Sequence, residues 1–464
     1  MDAKIKLPHT LILIFGVMFG VAMFTWIIPG GQYERAINAQ GREVVVDGTF
    51  EPTAGNPQGI FDLLQSPLQG LVETAHIIGF IFILGGVFNI IQRTEMIDAG
   101  ILVISNALQG RESLIIPAGM ILFALFGAIF GMSEEVIPFV LIFIPMAIAL
   151  GYDSLIGVAI PFLGAGLGFA GAMLNPFTVG IAQGIAELPL FSGIVYRSIV
   201  WLIIVSIGIF LVMLYAKRIR KDPQKSPVWD LDQTRRDILN EEKQREIKFT
   251  IRHRWILMAF ISAILVMIYG VMRYQWFISE IAAIFLGLGI VVALISRLSA
   301  NESANSFVRG AQDMIGAALV IGFARAILVL ATQGQIIDTI MFHLSNTISG
   351  MPTIMAAQLM FIMQTFINFF VPSGSGQAAL TMPIMAPLAD LIGVSRQTAV
   401  LAFQMGDGFT NMIIPTSGVT MGVLGMAKIP WETWAKWLLP IEIILFITGL
   451  ILLVPPVLFG WGPF

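Results

Sequence analysis

Long apolar runs, separated by brief polar punctuation, dominate this chain. Runs near the roughly 20 residues that a bilayer crossing requires lie at 10–29, 74–92, 155–186, 194–215, 255–272, 278–296, 312–333, 398–427 and 438–458. Two further pairs, 113–131 with 136–150 and 354–371 with 377–392, are each joined by only a few small or polar residues. Backbone polar groups in lipid must be satisfied internally, so helices are the expected element. The pattern predicts an all-α polytopic membrane protein with about nine transmembrane helices plus two re-entrant helical hairpins. The first run is of span length and no small-residue cleavage site follows it, so a span is expected there rather than a signal peptide.

The two hairpin regions carry the same text at a constant offset of 242. Ser133, Pro145, Ala147, Gly151 and Val158 match Ser375, Pro387, Ala389, Gly393 and Val400. The match continues through Gly164, Gly166, Thr178 and Gly180 against Gly406, Gly408, Thr420 and Gly422. Most of these residues are Gly or Pro, which fix backbone shape. Paired Gly/Pro-interrupted apolar segments in two halves of a membrane chain point to a transporter's binding site.

Composition narrows the class. Of 464 residues, 57% are hydrophobic and only 12% charged, about half the charged share of a soluble domain. There is no cysteine, so neither disulfides nor a thiolate metal site is available. The four His are scattered at 9, 76, 253 and 343 without a His-Glu-x-x-His motif, and no glycine run ends in Gly-Lys-Ser/Thr. An enzyme is therefore not expected, nor is a nucleic-acid partner, because the net charge is −3 with basic residues only locally concentrated.

Those concentrations orient the chain. Lys4 and Lys6, the 217–254 loop with twelve Lys/Arg, and Arg297 with Arg309 are expected on the cytoplasmic side. The acidic 30–73 loop (Glu34, Glu43, Asp47, Glu51, Asp62) is expected outside. Walking the spans places the N-terminus in the cytoplasm and the C-terminus outside, with Arg93 and Arg111 flanking an amphipathic stretch inside. The chain then divides into a first repeat at 1–216, a cytoplasmic loop at 217–254 and a second repeat at 255–464. The extra crossing 255–272 turns the second repeat upside down, an inverted-topology arrangement.

Helical breaks at membrane depth expose N–H groups on one half-helix and C=O groups on the other. The first suit a carboxylate; the second, with hydroxyl and amide oxygens, suit Na⁺ or an ammonium group. The candidate substrate-binding residues are accordingly Ser133, Glu134, Glu135, Asn175, Pro176 and Thr178 in the first repeat. In the second they are Ser373, Gly374, Ser375, Gly376, Gln377, Thr416, Ser417 and Gly418. A Na⁺ site is expected near Ser133, Asn175, Ser375 and Ser417. Ionisable groups inside a membrane are functional by default, which singles out Glu134, Glu135 and Asp407 for ion or proton coupling, with Asn175 and Thr416 beside them. Their counterparts Gly376, Gln377 and Ala165 carry no charge. Arg325 could meet a carboxylate, but a helix-locking role is favoured. His76 reads as a packing residue, and the 24 Met as core filler.

The segments GMSEE (131–135), GYDS (151–154), Gly166 to Gly193, NFFVPSGSGQAALTMPIMAPLADL (368–391) and PWETWAKWLLP (430–440) resemble the YfcC branch of the anaerobic dicarboxylate carrier (DcuC-like) family. That branch includes arginine/ornithine antiporter-like proteins. The resemblance runs along nearly the whole chain and implies the ion-transporter superfamily architecture: inverted repeats, two re-entrant hairpins, a homodimeric scaffold and an elevator-like moving part. It implies scaffold segments at 10–92 and 255–333, and transport segments at 113–215 and 354–458. The expected function is secondary transport in a bacterial inner membrane without cofactor, coupled to Na⁺, H⁺ or counter-substrate. The excess of acid over base in the site favours a basic amino acid over a four-carbon dicarboxylate.

Overall fold

The computed structural model describes residues 10–37, 43–97, 99–100, 103, 110–244, 249–274 and 276–462. Lys4, Lys6 and most of the expected amphipathic stretch between Arg93 and Arg111 lie outside the described residues. Helix α1 (Thr10–Ile27) leads to four short strands, β1 (Gly31–Gln32), β2 (Arg35–Ile37), β3 (Glu43–Val45) and β4 (Glu51–Pro52). They pair antiparallel, β1 with β4 and β2 with β3. Helices α2 (Ile60–Glu73) and α3 (Ala75–Gln92) meet at Thr74. There follow α4 (Ile115–Phe130), α5 (Ile137–Ala149), α6 (Ser154–Ala170), α7 (Val179–Ile185), α8 (Ile194–Lys221) and α9 (Trp229–Gln244). The remainder comprises α10 (Ile251–Tyr274), α11 (Ile278–Ser296), α12 (Ala300–Gln312), α13 (Ile315–Gln333), α14 (Ile337–Ile348), α15 (Thr353–Phe370) and α16 (Gly374–Leu391). It ends with α17 (Arg396–Thr410), α18 (Gly418–Ala427), α19 (Trp431–Leu452) and α20 (Val454–Leu458).

Among the described residues, nine helices are long and apolar enough to cross a membrane. They are not the nine runs expected as crossings. The arms Glu112–Phe130 and Thr353–Phe370 are among them, whereas the runs at 155–186 and 398–427 yield shorter helices, Ser154–Ala170 and Gly418–Ala427 among them. Pro176 and Pro415 stand in the turns where these two runs break, whereas Pro161 is accommodated within a helix. Pro161 lacks the N–H that a helix interior requires, and α6 absorbs it in a π-helical turn, Ala159–Leu163. Outward faces carry large apolar side chains (Leu202, Phe210, Leu294, Ile447) while Asn, Gln and Asp side chains are buried within, the reverse of a soluble fold and suited to lipid.

In each of the two paired runs the arms on either side of the break touch. The Phe123 ring of α4 lies 5.0 Å from Phe139 and 5.5 Å from Phe143 on α5. In one continuous helix residues 123 and 139 would stand about 24 Å apart. In the second pair, Gln377 Nε2 on α16 donates to Gln364 Oε1 on α15 at 2.7 Å. The corners after the hairpins repeat each other at the 242 offset. Gly151 (φ +86°) and Gly393 (φ +73°) both take the left-handed conformation that favours glycine. Tyr152 N–H then donates to Ala147 O at 2.9 Å, as Val394 N–H does to Ala389 O at 2.8 Å. Asp153 and Ser395 cap the next helices by accepting from Ile156 and Thr398 N–H.

Three polar stretches hold more structure than a linker. Residues 60–73, within the expected external loop, form α2, which packs along α13. Its period-3.6 pattern buries Leu63, Ser66 and Gly70 and exposes Ile60, Phe61, Leu64, Leu68 and Val72. Most of 297–309 is α12, opened by a Ser299–Glu302 capping box and packed along α3. The 217–254 loop contains the last turn of α8, all of α9 and the start of α10. Glycines allow the tightest contacts of the α2–α3 and α12–α13 bundle. A Cβ on Gly70 would lie 2.2 Å from Gly322 O, and one on Gly310 2.0 Å from Gly85 O.

Candidate functional site

The two hairpin tips and the two breaks converge on one cavity of about 450 Å³, within the usual range for small-molecule pockets. Gly131, Ser133, Glu134 and Glu135 line it from the first tip, and Ser373, Gly374 and Ser375 from the second. Thr178 and Phe177 come from the break between α6 and α7; Asn411, Met412 and Ser417 come from the break between α17 and α18. Apolar walls are supplied by Phe162, Phe169 and Ile77, and the one basic residue of the lining is Arg325. Helix α16 begins at the cavity, with the Ser373 hydroxyl accepting from Gly376 N–H at 3.3 Å. The first N–H groups of such a helix favour a carboxylate.

The candidate residues divide by position. Ser133, Glu134, Glu135, Thr178, Ser373, Gly374, Ser375 and Ser417 line the cavity. Glu135 turns back on its own tip, accepting from Ser133 N–H at 2.9 Å. Asn175 is fully buried behind the first tip, its Oδ1 accepting from Phe177 N–H at 2.9 Å. A Cβ on Gly131 (φ +70°) would stand 2.5 Å from that oxygen, so glycine is required there for both conformation and space. Pro176 lies in the turn that follows. Gly376 lines a different pocket of about 580 Å³, shared with Arg35 and Asp338. Gln377 is buried and ties the arms of its hairpin, and Thr416 is buried beside Ser417. Gly418 faces Ile77 and Ile321 instead of the cavity.

Asp407 is fully buried and stands behind the second tip rather than in the lining. Its Oδ1 accepts from Asn411 Nδ2 at 2.9 Å, and its carbonyl from Asn368 Nδ2 at 3.1 Å. A Cβ on Gly374 would lie 2.9 Å from Asp407 Oδ2 and 2.4 Å from Thr178 Cγ2. Asp407 Oδ2, Asn411 Oδ1, Asn368 Oδ1 and Thr178 Oγ1 are buried oxygens without a hydrogen-bond partner. Buried oxygens are normally satisfied, so these four are open to a further partner. Of the set expected from sequence, Asn175 Oδ1 and Ser417 Oγ each accept a backbone N–H group, while Ser133 and Ser375 line the cavity. Among the described residues no group of three or more His, Cys, Asp or Glu could hold a metal ion.

Sequence reasoning missed Asn368, Asn411 and Gln364, because single amides in apolar helices carry no local signal. It did weigh Arg325, whose position answers both readings: Nε donates to Glu73 Oε2 at 2.6 Å, locking α13 to α2, and the same side chain lines the cavity. A second buried cluster lies where α9 meets the hairpin corner. Asp153 Oδ2 accepts from Tyr215 at 2.5 Å and Ser226 at 2.6 Å. Asp232 accepts from Ser154 N–H at 2.8 Å and Arg235 at 2.7 Å, and Arg235 also donates to Ala427 O at the end of α18.

A helical membrane bundle whose broken helices and hairpin tips enclose one charged cavity defines a multi-pass transport protein. The chain belongs to the C4-dicarboxylate anaerobic carrier (DcuC) family, which matches residues 7–457. It is 38% identical over 494 residues to a protein of Escherichia coli (strain K12) named "Putative basic amino acid antiporter YfcC", covering 98% of this chain and 97% of that protein. An uncharacterized protein of Haemophilus influenzae is 31% identical over 502 residues, covering 98% of each. Among solved structures, the YdaH transporter of Alcanivorax borkumensis is similar at 14% identity and TM-score 0.43, over 98% of this chain and 100% of that one. MtrF of Neisseria gonorrhoeae, described within a class of antimetabolite efflux pumps, is similar at 18% identity and TM-score 0.43, over 97% and 95%. The family and the relative with a functional name are carriers, and the chain is a transporter rather than an enzyme.

Proposed function

We propose that this carrier moves a small amino acid-like solute, a basic amino acid exchanged in the arginine/ornithine manner, by an elevator-type alternating-access mechanism. The carrying observation is the charge of the cavity: Glu134 and Glu135 face it, and its one lining cation is already paired with Glu73. A basic amino acid uses both halves of this chemistry, its carboxylate on the α16 N-terminus and its cationic end on the tip carboxylates. A four-carbon dicarboxylate would need two anion-binding groups where the lining has an excess of acid. The antiporter name of the Escherichia coli relative supports the same reading.

The scaffold of this proposal is 10–92 with 255–333, and the moving part is 113–215 with 354–458, set in a bacterial inner membrane with the N-terminus inside and the C-terminus outside. Pairing of α2 with α13 and of α3 with α12 supports an inverted repeat, since each half lends one helix to each pair. The α18 face toward α3 and α13 supports the sliding motion. Gly418, Gly422 and Gly425 there meet Ile77, Ile81, Ile321 and Ala317, with no polar side chain among those contacts. The unpaired oxygens around Asp407 support a coupling Na⁺ or H⁺ behind the second tip. Association as a homodimer through scaffold helices completes the proposal.

The test is counterflow in proteoliposomes of purified protein loaded with arginine, ornithine, lysine, aspartate or succinate. Labelled arginine should enter only against a basic amino acid. Succinate counterflow without amino-acid flux would establish the dicarboxylate alternative instead.

A further inference from the structure

We infer that Trp431 and Trp434 are positioning residues, an indole clasp that holds the second break in the shape by which it lines the cavity, whatever the cargo. Helix α17 ends at Thr410 and α18 begins at Gly418, so the carbonyls of Asn411, Met412 and Ile413 have no following helical turn to serve them. Side chains serve all three. Thr420 Oγ1 donates to Asn411 O, Trp434 Nε1 to Met412 O at 2.9 Å and Trp431 Nε1 to Ile413 O at 2.7 Å. Asn411 and Met412 line the cavity, so the indoles are fastened to the backbone of its wall.

The spacing in PWETWAKWLLP makes this possible. Trp431 and Trp434 stand three residues apart at the start of α19, on one face and about 4.5 Å along the axis. Trp434 is fully buried, and an indole has one donor and no acceptor, so the bond to Met412 O satisfies it. Its ring also lies 5.7 Å from that of Phe162, which belongs to the first-repeat wall of the cavity. A Cβ on Gly166, another lining residue of that wall, would stand 2.4 Å from Met412 Sδ. Trp434 therefore joins the second break to α6, and a shift of Met412 is felt there. The clasp is written in one copy only. At the 242 offset Trp431 and Trp434 face Pro189 and Ser192. Proline has no side-chain donor, and Ser192 Oγ accepts from Gln397 Nε2 at 2.7 Å. The first break closes on itself instead, Asn175 Oδ1 accepting from Phe177 N–H.

Because the chain has no cysteine, a single thiol can report on the break. Met412 is buried, so a thiol placed by Met412→Cys in the purified protein should react slowly with a small methanethiosulfonate. Adding Trp434→Phe keeps a ring but removes the N–H, and should raise that rate about tenfold by orphaning the carbonyl. Trp431→Phe, at the half-buried end of the pair, should raise it too, and it decides the matter if Trp434→Phe does not fold. A thiol placed by Ser133→Cys on the first tip should keep its rate in both backgrounds. The control is Trp437→Phe: Trp437 lies 5.1 Å from Trp434, but among the described residues its N–H makes no hydrogen bond. Unchanged reactivity of the Met412→Cys thiol in the Phe variants overturns the inference. So does an equal rise at the Ser133→Cys thiol, which would mean general loosening, or an equal effect of Trp437→Phe, which would assign the effect to ring packing. Arginine counterflow adds a functional readout: Trp434→Phe should raise the half-saturating concentration more than it lowers the maximal rate. A wild-type chain that does not counterflow arginine removes the cargo reading, while the thiol rates still decide on the clasp.

Discussion

Gly374 stands where the second hairpin tip touches both Thr178 and Asp407. A methyl group there would meet Thr178 Cγ2 at 2.4 Å and Asp407 Oδ2 at 2.9 Å, forcing the tip away from both breaks. Overpacking of this kind costs about 1–3 kcal/mol. Gly374→Ala is expected to lose at least ten-fold in counterflow while still running as a folded species on size-exclusion chromatography in detergent; wild-type counterflow would contradict the tight contact. Glu134→Gln and Asp407→Asn separate the two acidic positions. The first removes a carboxylate from the cavity and should weaken competition by unlabelled arginine. The second leaves the lining intact, so binding should persist while the dependence of transport on Na⁺ or on an imposed pH gradient disappears. The asymmetry of charge between the copies is legible in the text, because Glu134, Glu135 and Asp407 face Gly376, Gln377 and Ala165 at the 242 offset. What the text does not carry is depth. Asp407 and Gly374 are far apart along the chain, and only packing puts the carboxylate behind the tip rather than in the lining.

Helix α9 shows what charge counting overlooks. Its residues are hydrophilic enough to read as a solvated linker, yet Asp232 is fully buried and holds the corner between α5 and α6 through Ser154 N–H. Asp232→Ala should lower stability by about 1–3 kcal/mol, the cost of orphaning a buried donor. The exposed Asp230 on the same helix should tolerate Asn within about 0.5 kcal/mol. Thermal unfolding in detergent distinguishes them, and equal melting temperatures would mean that α9 hangs free. The anchor is invisible in sequence because its partners lie 78 positions apart. Helix α2 was hidden for a related reason: its acidic ends, Asp62 capping Gly59 N–H and Glu73 pairing with Arg325, outweigh in a charge count the buried stripe between them. The breaks between paired arms were legible because they are written in Gly, Pro and Ser, whose backbone preferences need no tertiary context.

At the scale of the molecule, the proposed orientation rests on a count of basic residues, and the absence of cysteine makes it directly testable. Single-cysteine variants need no prior removal of native thiols. Asp230→Cys should react with an impermeant maleimide only in inverted vesicles, and Glu34→Cys only in intact cells; the opposite pattern would invert the topology. The doubled text pairs Gly151 with Gly393, and both corners carry the same hydrogen bonds; it gives no sign of the exchange of partners between α2–α3 and α12–α13, whose sequences have diverged. Lys428 and Asp313, 3.4 Å apart, join α18 to the α12–α13 junction by a contact between exposed groups worth at most about 1 kcal/mol, so that pair can be made and broken cheaply. The glycines of α18 act on the same boundary through friction rather than affinity. Side chains on two packed helices interlock, and sliding one past the other means climbing each ridge in turn. A face with hydrogens in place of side chains has no ridges to climb, so under the proposed elevator motion α18 would work as a bearing surface. Methyl groups added at Gly418, where a Cβ would stop 3.3 Å from Ile77, and at Gly422, 3.8 Å from Ile321, would then act as graded brakes, slowing turnover while leaving the affinity for cargo where it was.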